Sequence, residues 1–299
     1  MYNGLINVYK EPGFTSMDAV AVLRGILKQK KIGHTGTLDP AAEGVLMVCL
    51  GNATKLCSIL EDRDKEYECK MLLGVSTDTE DTTGEIIERR EVTCSEDEIR
   101  EAINSFIGDI KQVPPMYSAL KKDGKKLYEL ARAGVEIERE ARDIKIYDIV
   151  INEITIPYVS FTVKCSKGTY IRSLCRDIGN KLGCKAAMEH LKRTSVSFFN
   201  VDKSLKLSEI ESHAKEGKID EFILPTEDVF QNLDSIFVNE ESARIIDNGN
   251  PLMKENLVEI PSELKDGLMF KVYNTEKKFV AVYQFDEEKN IFKPYKMFF

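Results

Sequence analysis

No segment of this chain nears the roughly 18 apolar residues that a membrane-spanning helix needs. The opening run, Met1 to Gly13, lacks the basic segment followed by an apolar one that marks a secretory leader, so the expected location is the cytoplasm. Seven cysteines occur, at positions 49, 57, 69, 94, 165, 175 and 184, and none forms a C-x-x-C pair. Their number is odd and most lie in apolar runs, where a reduced cysteine packs as a small hydrophobe. Histidine is scarce: only His34, His190 and His213, with no H-E-x-x-H and no Cys/His cluster, so no metal site is expected. No Gly-rich dinucleotide or phosphate loop follows a strand-like run, which argues against a doubly wound nucleotide-binding fold. Internal repeats and low-complexity tracts are absent as well.

What remains is a globular composition. The 299 residues are 42% hydrophobic and 31% charged, enough for a core and a well-solvated surface in one large or two medium domains. The formal net charge of −8 is unusual for a protein that binds a polyanion. Its distribution is uneven, however. Residues 161–193 carry Lys164, Lys167, Arg172, Arg176, Lys181, Lys185, Lys192 and Arg193 against only Asp177 and Glu189. A nucleic acid is expected to dock on this part of the chain, and the residues beyond Asn200 are acidic. Charge alone leaves a solvated helix face as an equal reading.

Periodicity supplies the elements. Leu5 to Tyr9 reads as a strand, and Thr15 and Ser16 can cap a helix whose stripe is Ala19, Val20, Leu23, Ile26 and Leu27. From Lys65 the period becomes two, which puts Tyr67, Cys69, Met71 and Leu73 on one face. Ser95 and Glu98 form a capping-box pattern. Leu127 to Ala133 reads as helical. Ile144 to Ile156 and Val159 to Cys165 read as paired strands, and a helix follows Gly168-Thr169. Short β-prone runs such as Phe270 to Tyr273 and Phe279 to Phe285 suggest a small β-rich domain after a boundary near residues 224–235. The expected class is therefore α+β (mixed α/β), with domains at 1–234 and 235–299.

The most informative segment is Gly33-His34-Thr35-Gly36-Thr37-Leu38-Asp39-Pro40. Two glycines open unusual backbone conformations, and Pro40 biases Asp39 toward an extended one, so the carboxylate is presented at a fixed place. Taken alone, Asp39 reads more readily as an Asx-turn residue than as a catalyst. The segment closely resembles the catalytic motif of the TruB family of tRNA pseudouridine synthases. Further blocks resemble that family in order: Lys10 and Gly13; Lys65-x-Tyr67; Asp78-Thr79-x-Asp81; Pro115 to Lys121 with Gly124 to Tyr128; and Ser166 to Arg172. They span about residues 5 to 195. One departure is that Pro12 falls one position later than in the commonest form of the N-terminal block.

The resemblance implies a pseudouridine synthase fold with a central, mainly antiparallel sheet and a C-terminal PUA-like RNA-binding domain. It implies isomerisation of uridine 55 in the T-loop of tRNA, by a monomer and without a cofactor, since nothing is oxidised and no outside group is transferred. Uracil leaves C1′ of its ribose, rotates and rejoins through C5. Asp39 is the implied carboxylate, as nucleophile or as base. Arg172 is its implied positive partner, and Tyr67 the catalytic residue packed on the flipped base and a candidate to remove the C5 proton. Tyr170 and Leu191 are implied pocket residues, and His34 the side chain that fills the gap left in the RNA. Lys10 and Lys167 are implied phosphate contacts, with Lys121, Lys125 and Lys126 beside them. Competing readings keep the enzyme class with another RNA target, or make the chain a non-catalytic RNA-binding protein.

Overall fold

Alternation of apolar and polar side chains sets up most of the strands in the computed structural model, which describes residues 1–299. The N-terminal half supplies β1 (Gly4–Lys10), α1 (Ser16–Leu27), β2 (Ile32–Thr35), β3 (Glu43–Leu50), β4 (Lys65–Leu73) and α2 (Glu96–Asn104). Then come β5 (Gly108–Gln112), β6 (Arg142–Thr155), β7 (Tyr158–Cys165), α3 (Ile171–Lys181), β8 (Ala186–Val196) and α4 (Leu207–Lys215). Both expected capping boxes form, Thr15 with Asp18 ahead of α1 and Ser95 with Glu98 ahead of α2. Each satisfies helix-end N–H groups that would otherwise have no partner.

These strands build one ten-stranded sheet. From the short strand Ile223–Leu224 the order is β1, β3, β8, β4, β7, β6, β5, with β2 pairing β3 and Phe199–Asn200 pairing β8. All neighbours run antiparallel except β8 with β3, a parallel contact in which Lys192 faces Glu43 and Arg193 faces Gly44. Gly44 has φ +103°, and a Cβ there would lie 2.2 Å from the Arg193 carbonyl oxygen. Only glycine lets the two backbones come this close. Strand β8 itself escapes sequence reading. Its charges resemble a surface run, yet it sits mid-sheet with most of its residues buried.

The sheet's apolar faces are covered on both sides. A cluster of 23 buried residues lies beneath α2 and α3 and includes Leu38, Tyr67, Phe161, Leu174 and Leu191. A second joins α1 and α4 to β1 and β3. A separate four-stranded sheet follows, in the order β9 (Asp234–Phe237), β10 (Met269–Tyr273), β11 (Phe279–Asp286), β12 (Ile291–Met297). It shares a core with the large sheet: Val282 and Phe298 pack with Leu5, Val45, Met47 and Cys49. All seven cysteines are free thiols. No helix is long and apolar enough to cross a membrane, and no His/Cys/Asp/Glu group is arranged to hold a metal ion.

The shared core has a consequence for truncation. Removing residues 235–299 strips the cover from fully buried side chains, each of which contributes about 1.5–3 kcal/mol through burial. A chain ending at residue 234 is expected to melt at a lower temperature than the full chain in a calorimetric scan. An unchanged melting temperature would show that this contact contributes nothing to stability.

Candidate active site

The loop between β2 and β3 is fastened from below before it reaches Asp39. Ser16, the first residue of α1, accepts from the Leu38 N–H at 2.9 Å and donates back to the Leu38 carbonyl at 3.3 Å. The Gly13 N–H donates to the Pro40 carbonyl at 2.9 Å. Lys10 is wholly buried, and its ammonium donates to the carbonyls of Ala42 at 2.6 Å, Glu11 at 3.1 Å and Pro40 at 3.2 Å. Gly36 adopts φ +70°, the left-handed turn that aims the rest of the loop, and its carbonyl accepts from Arg193 at 3.0 Å. Asp39 is thus held on a fixed platform with its carboxylate one-third exposed.

Arg172 meets that carboxylate from the first turn of α3. Its Nε lies 2.8 Å from Asp39 Oδ2 and its Nη2 3.1 Å from Oδ1, a two-point contact. The same guanidinium donates to the Thr79 carbonyl at 2.9 Å and the Tyr117 carbonyl at 2.9 Å. Asp81 stands 4.0 Å away. With its side chain only 5% exposed, Arg172 ties three loops to one helix. The blocks around Asp78–Asp81 and Pro115–Lys121 therefore contribute main-chain oxygens, which side-chain chemistry does not disclose. One helical turn on, Arg176 bonds Glu80, and Ser173 donates to Glu80 at 2.7 Å, so the same face of α3 grips the 78–81 loop twice. Gln112 fixes the start of α3, accepting from the Tyr170 N–H at 2.8 Å and donating to its carbonyl at 3.1 Å.

Beside the carboxylate stands an apolar wall. Leu38, Tyr67 and Leu191 belong to one buried cluster, and Tyr67 and Leu191 lie on the adjacent strands β4 and β8. Burial pushes the Tyr67 phenol above its ordinary pKa, opposed by the Arg193 guanidinium beside it. Burial likewise raises the Tyr170 phenol. His34 sits on β2, half-buried, with Nδ1 enclosed and unpartnered. Burial, then the Arg193 charge, lowers its pKa, which favours the neutral ring. A carboxylate held by Arg172 beside a buried tyrosine and two leucines suits an uncharged planar ring attached to a sugar.

Comparison with known proteins agrees with this arrangement. The model of the TruB family pseudouridylate synthase N-terminal domain matches residues 24–171, and that of the tRNA pseudouridylate synthase B C-terminal domain matches residues 172–231. A tRNA pseudouridine synthase B of Lachnoclostridium phytofermentans is 50% identical, covering 99% of each chain. The chain belongs to the TruB family of pseudouridylate synthases. Another relative of that name, from Clostridium acetobutylicum, is 47% identical over 96% of each chain. Among solved structures, one titled as a Cbf5-Nop10-Gar1 complex aligns with TM-score 0.73 at 27% identity, covering 99% of this chain and 85% of that one. One titled as an H/ACA RNP bound to a substrate RNA aligns with TM-score 0.72 at 26% identity, with the same two coverages.

Within this TruB-family fold, two readings of charge need correcting. Lys10 does not present its ammonium to a phosphate: it is enclosed by three carbonyls, and burial pulls its pKa down to about 8. Its work is to brace the Asp39 loop. The basic run at 161–193 is not a surface stripe either. Arg172 and Arg193 are interior, and Arg176 is consumed by Glu80 and Asp177. Lys167 is exposed and pairs with Asp62 at 2.8 Å. A denser group of lysines without carboxylate partners lies on a two-stranded hairpin, where Lys121 pairs with Lys126 and Lys122 with Lys125 and three of the four are exposed. Sequence reading missed Ser16, Gln112 and Arg193, because an isolated polar residue in a strand or cap carries no motif.

Proposed function

We propose that this chain converts uridine 55 in the T-loop of tRNA to pseudouridine, with Asp39 as the essential carboxylate. The observation that carries the reading is the two-point Asp39–Arg172 pair set against the Leu38–Tyr67–Leu191 wall. Family membership and the printed names of the relatives support tRNA as the substrate. The target uridine is extruded from the RNA, its base rests on Tyr67 and Leu191, and His34 occupies the space it leaves. Arg172 keeps Asp39 aimed. The carboxylate then attacks the sugar or removes a ribose proton, and either route frees uracil to rotate and rejoin through C5. Tyr170 shapes the pocket, and Lys167 meets the backbone. The enzyme acts as a cytoplasmic monomer without a cofactor, and residues 235–299 form an RNA-binding module beside the catalytic domain at 1–234.

Recognition of the T-arm is tested with an isolated T-arm hairpin. The hairpin is expected to be modified at the same single uridine as the whole tRNA, and a hairpin with cytidine there is expected to be inert. Modification of the tRNA but not of the hairpin would place recognition elsewhere in the molecule.

The lysine hairpin gives a second test. Phosphate contacts release counterions, so affinity falls steeply with salt. Replacing Lys121, Lys122, Lys125 and Lys126 by Ala is expected to weaken tRNA binding and to flatten the log–log salt slope by about one per lost phosphate contact. A slope equal to that of the unaltered protein would place the RNA backbone on another face.

A further inference from the structure

Arg193 has no role in the scheme above, yet it is among the largest wholly buried side chains of the protein. It lies on β8 directly opposite Tyr67 on β4. Its Nε donates to the Val45 carbonyl at 2.7 Å and its Nη2 to the Gly36 carbonyl at 3.0 Å. Both acceptors are main-chain oxygens. Arg172 and Arg176 each pair with a carboxylate, whereas Arg193 forms no ion pair. Arginine stays protonated in proteins, and a buried charge without a counter-charge costs several kcal/mol. Such a cation, fixed at the centre of the sheet, is matched only when negative charge arises beside it.

From this placement we infer that Arg193 is a positioning residue: its fixed charge beside Tyr67 stabilises the phenolate that then accepts the C5 proton. The inference rests on the proposed uridine chemistry. Once uracil has rejoined the sugar through C5, that carbon bears both the sugar and a proton. The proton passes to the phenolate oxygen, and the electron pair of the C5–H bond restores the ring double bond. The phenol returns that proton to solvent before the next turnover, and N1 takes one from solvent. Burial alone disfavours the phenolate, and the Arg193 charge beside it opposes that effect. The guanidinium is preorganised by the Val45 and Gly36 carbonyls, so it does not reorganise when the phenol ionises. The bond to Gly36 also couples Tyr67 to the loop that carries Asp39.

The test compares Arg193→Gln, which removes the charge, with Arg193→Lys, which keeps it. Single-turnover rates are measured at saturating tRNA carrying protium or deuterium at uracil C5. Arg193→Gln is expected to slow the reaction about 10²-fold, the loss typical of one preorganised donor. Its C5 isotope effect should exceed that of the unaltered protein, and its deficit should shrink as pH rises and the phenol ionises unaided. Arg193→Lys should leave the isotope effect unchanged. In a Tyr67→Phe background, Arg193→Gln should add no further loss. A folded Arg193→Gln protein with an unchanged isotope effect would overturn the inference. If that variant does not fold, an enlarged isotope effect in Arg193→Lys overturns it and an unchanged one supports it. Tyr67→Phe with the full rate would instead remove the reading of Tyr67 itself.

Discussion

Asp39→Asn is expected to yield a folded protein that binds tRNA and forms no pseudouridine. The substitution preserves size and shape but removes the charge. An amide is a poor nucleophile and a poor base, so the step fails whichever route the carboxylate takes. The loss should reach at least about 10⁴-fold, the upper end of what one positioned acid–base group supplies. Folding should survive for a local reason. Arg172 keeps its bonds to the Thr79 and Tyr117 carbonyls, and the loop keeps its anchors from Ser16 and Lys10. The one-third-exposed carboxylate position also lets water reach whatever the amide cannot satisfy. Binding should change little, because the proposed phosphate contacts at the lysine hairpin and Lys167 do not involve Asp39. A verified Asp39→Asn preparation with near-normal single-turnover rates would remove Asp39 from the chemistry.

Arg172→Gln is expected to damage both stability and catalysis. The guanidinium bonds Asp39 twice and two carbonyls once each, joining loops that α3 otherwise holds through Arg176 and Ser173. Breaking a buried ion pair by deleting one member costs about 3–5 kcal/mol. Asp39 is 36% exposed, so water compensates part of its loss and about 3 kcal/mol is the expected figure. Denaturant unfolding reads this directly. Catalysis should fall further than stability explains, because the freed carboxylate loses its aim. Arg172→Lys keeps a charge but cannot fork between an acid and two carbonyls, so it should rescue only part of either effect. Stability equal to that of the unaltered protein in Arg172→Gln would mean that the pair is not a structural tie.

How far the sequence disclosed this site depends on which atoms do the work. Asp39, Arg172 and Tyr67 lie in recognisable blocks, and the structure sets Tyr67 in one cluster with Leu38 and Leu191 beside the Asp39–Arg172 pair. The period-two run from Lys65 and the capping boxes at Thr15 and Ser95 follow from local rules, and they form where those rules put them. Main-chain acceptors do not announce themselves: nothing about Thr79 or Tyr117 as side chains predicts that their carbonyls hold Arg172. Charge was misleading for a related reason. Counting lysines and arginines along 161–193 cannot separate an arginine that faces solvent from Arg193, which is wholly buried on a strand paired on both sides. Lys10 deceived in the same way, since a lysine near an RNA-site motif suggests phosphate until its burial is known. Strand β8 was obscured because its charged residues hide an alternation that only the neighbouring strands complete.

The central claim is that this chain makes pseudouridine at one tRNA uridine, and release of a C5 hydrogen tests it most directly. Unmodified tRNA labelled with tritium at uracil C5 is incubated with the purified protein, and label appearing in water is counted and then mapped. Rejoining the base through C5 expels that hydrogen, whereas binding or refolding the RNA does not. The expected result is release of one equivalent of tritium per tRNA, all from uridine 55, with none from the Asp39→Asn protein. Tight tRNA binding with no tritium released, or equal release from several unrelated uridines, would contradict the account.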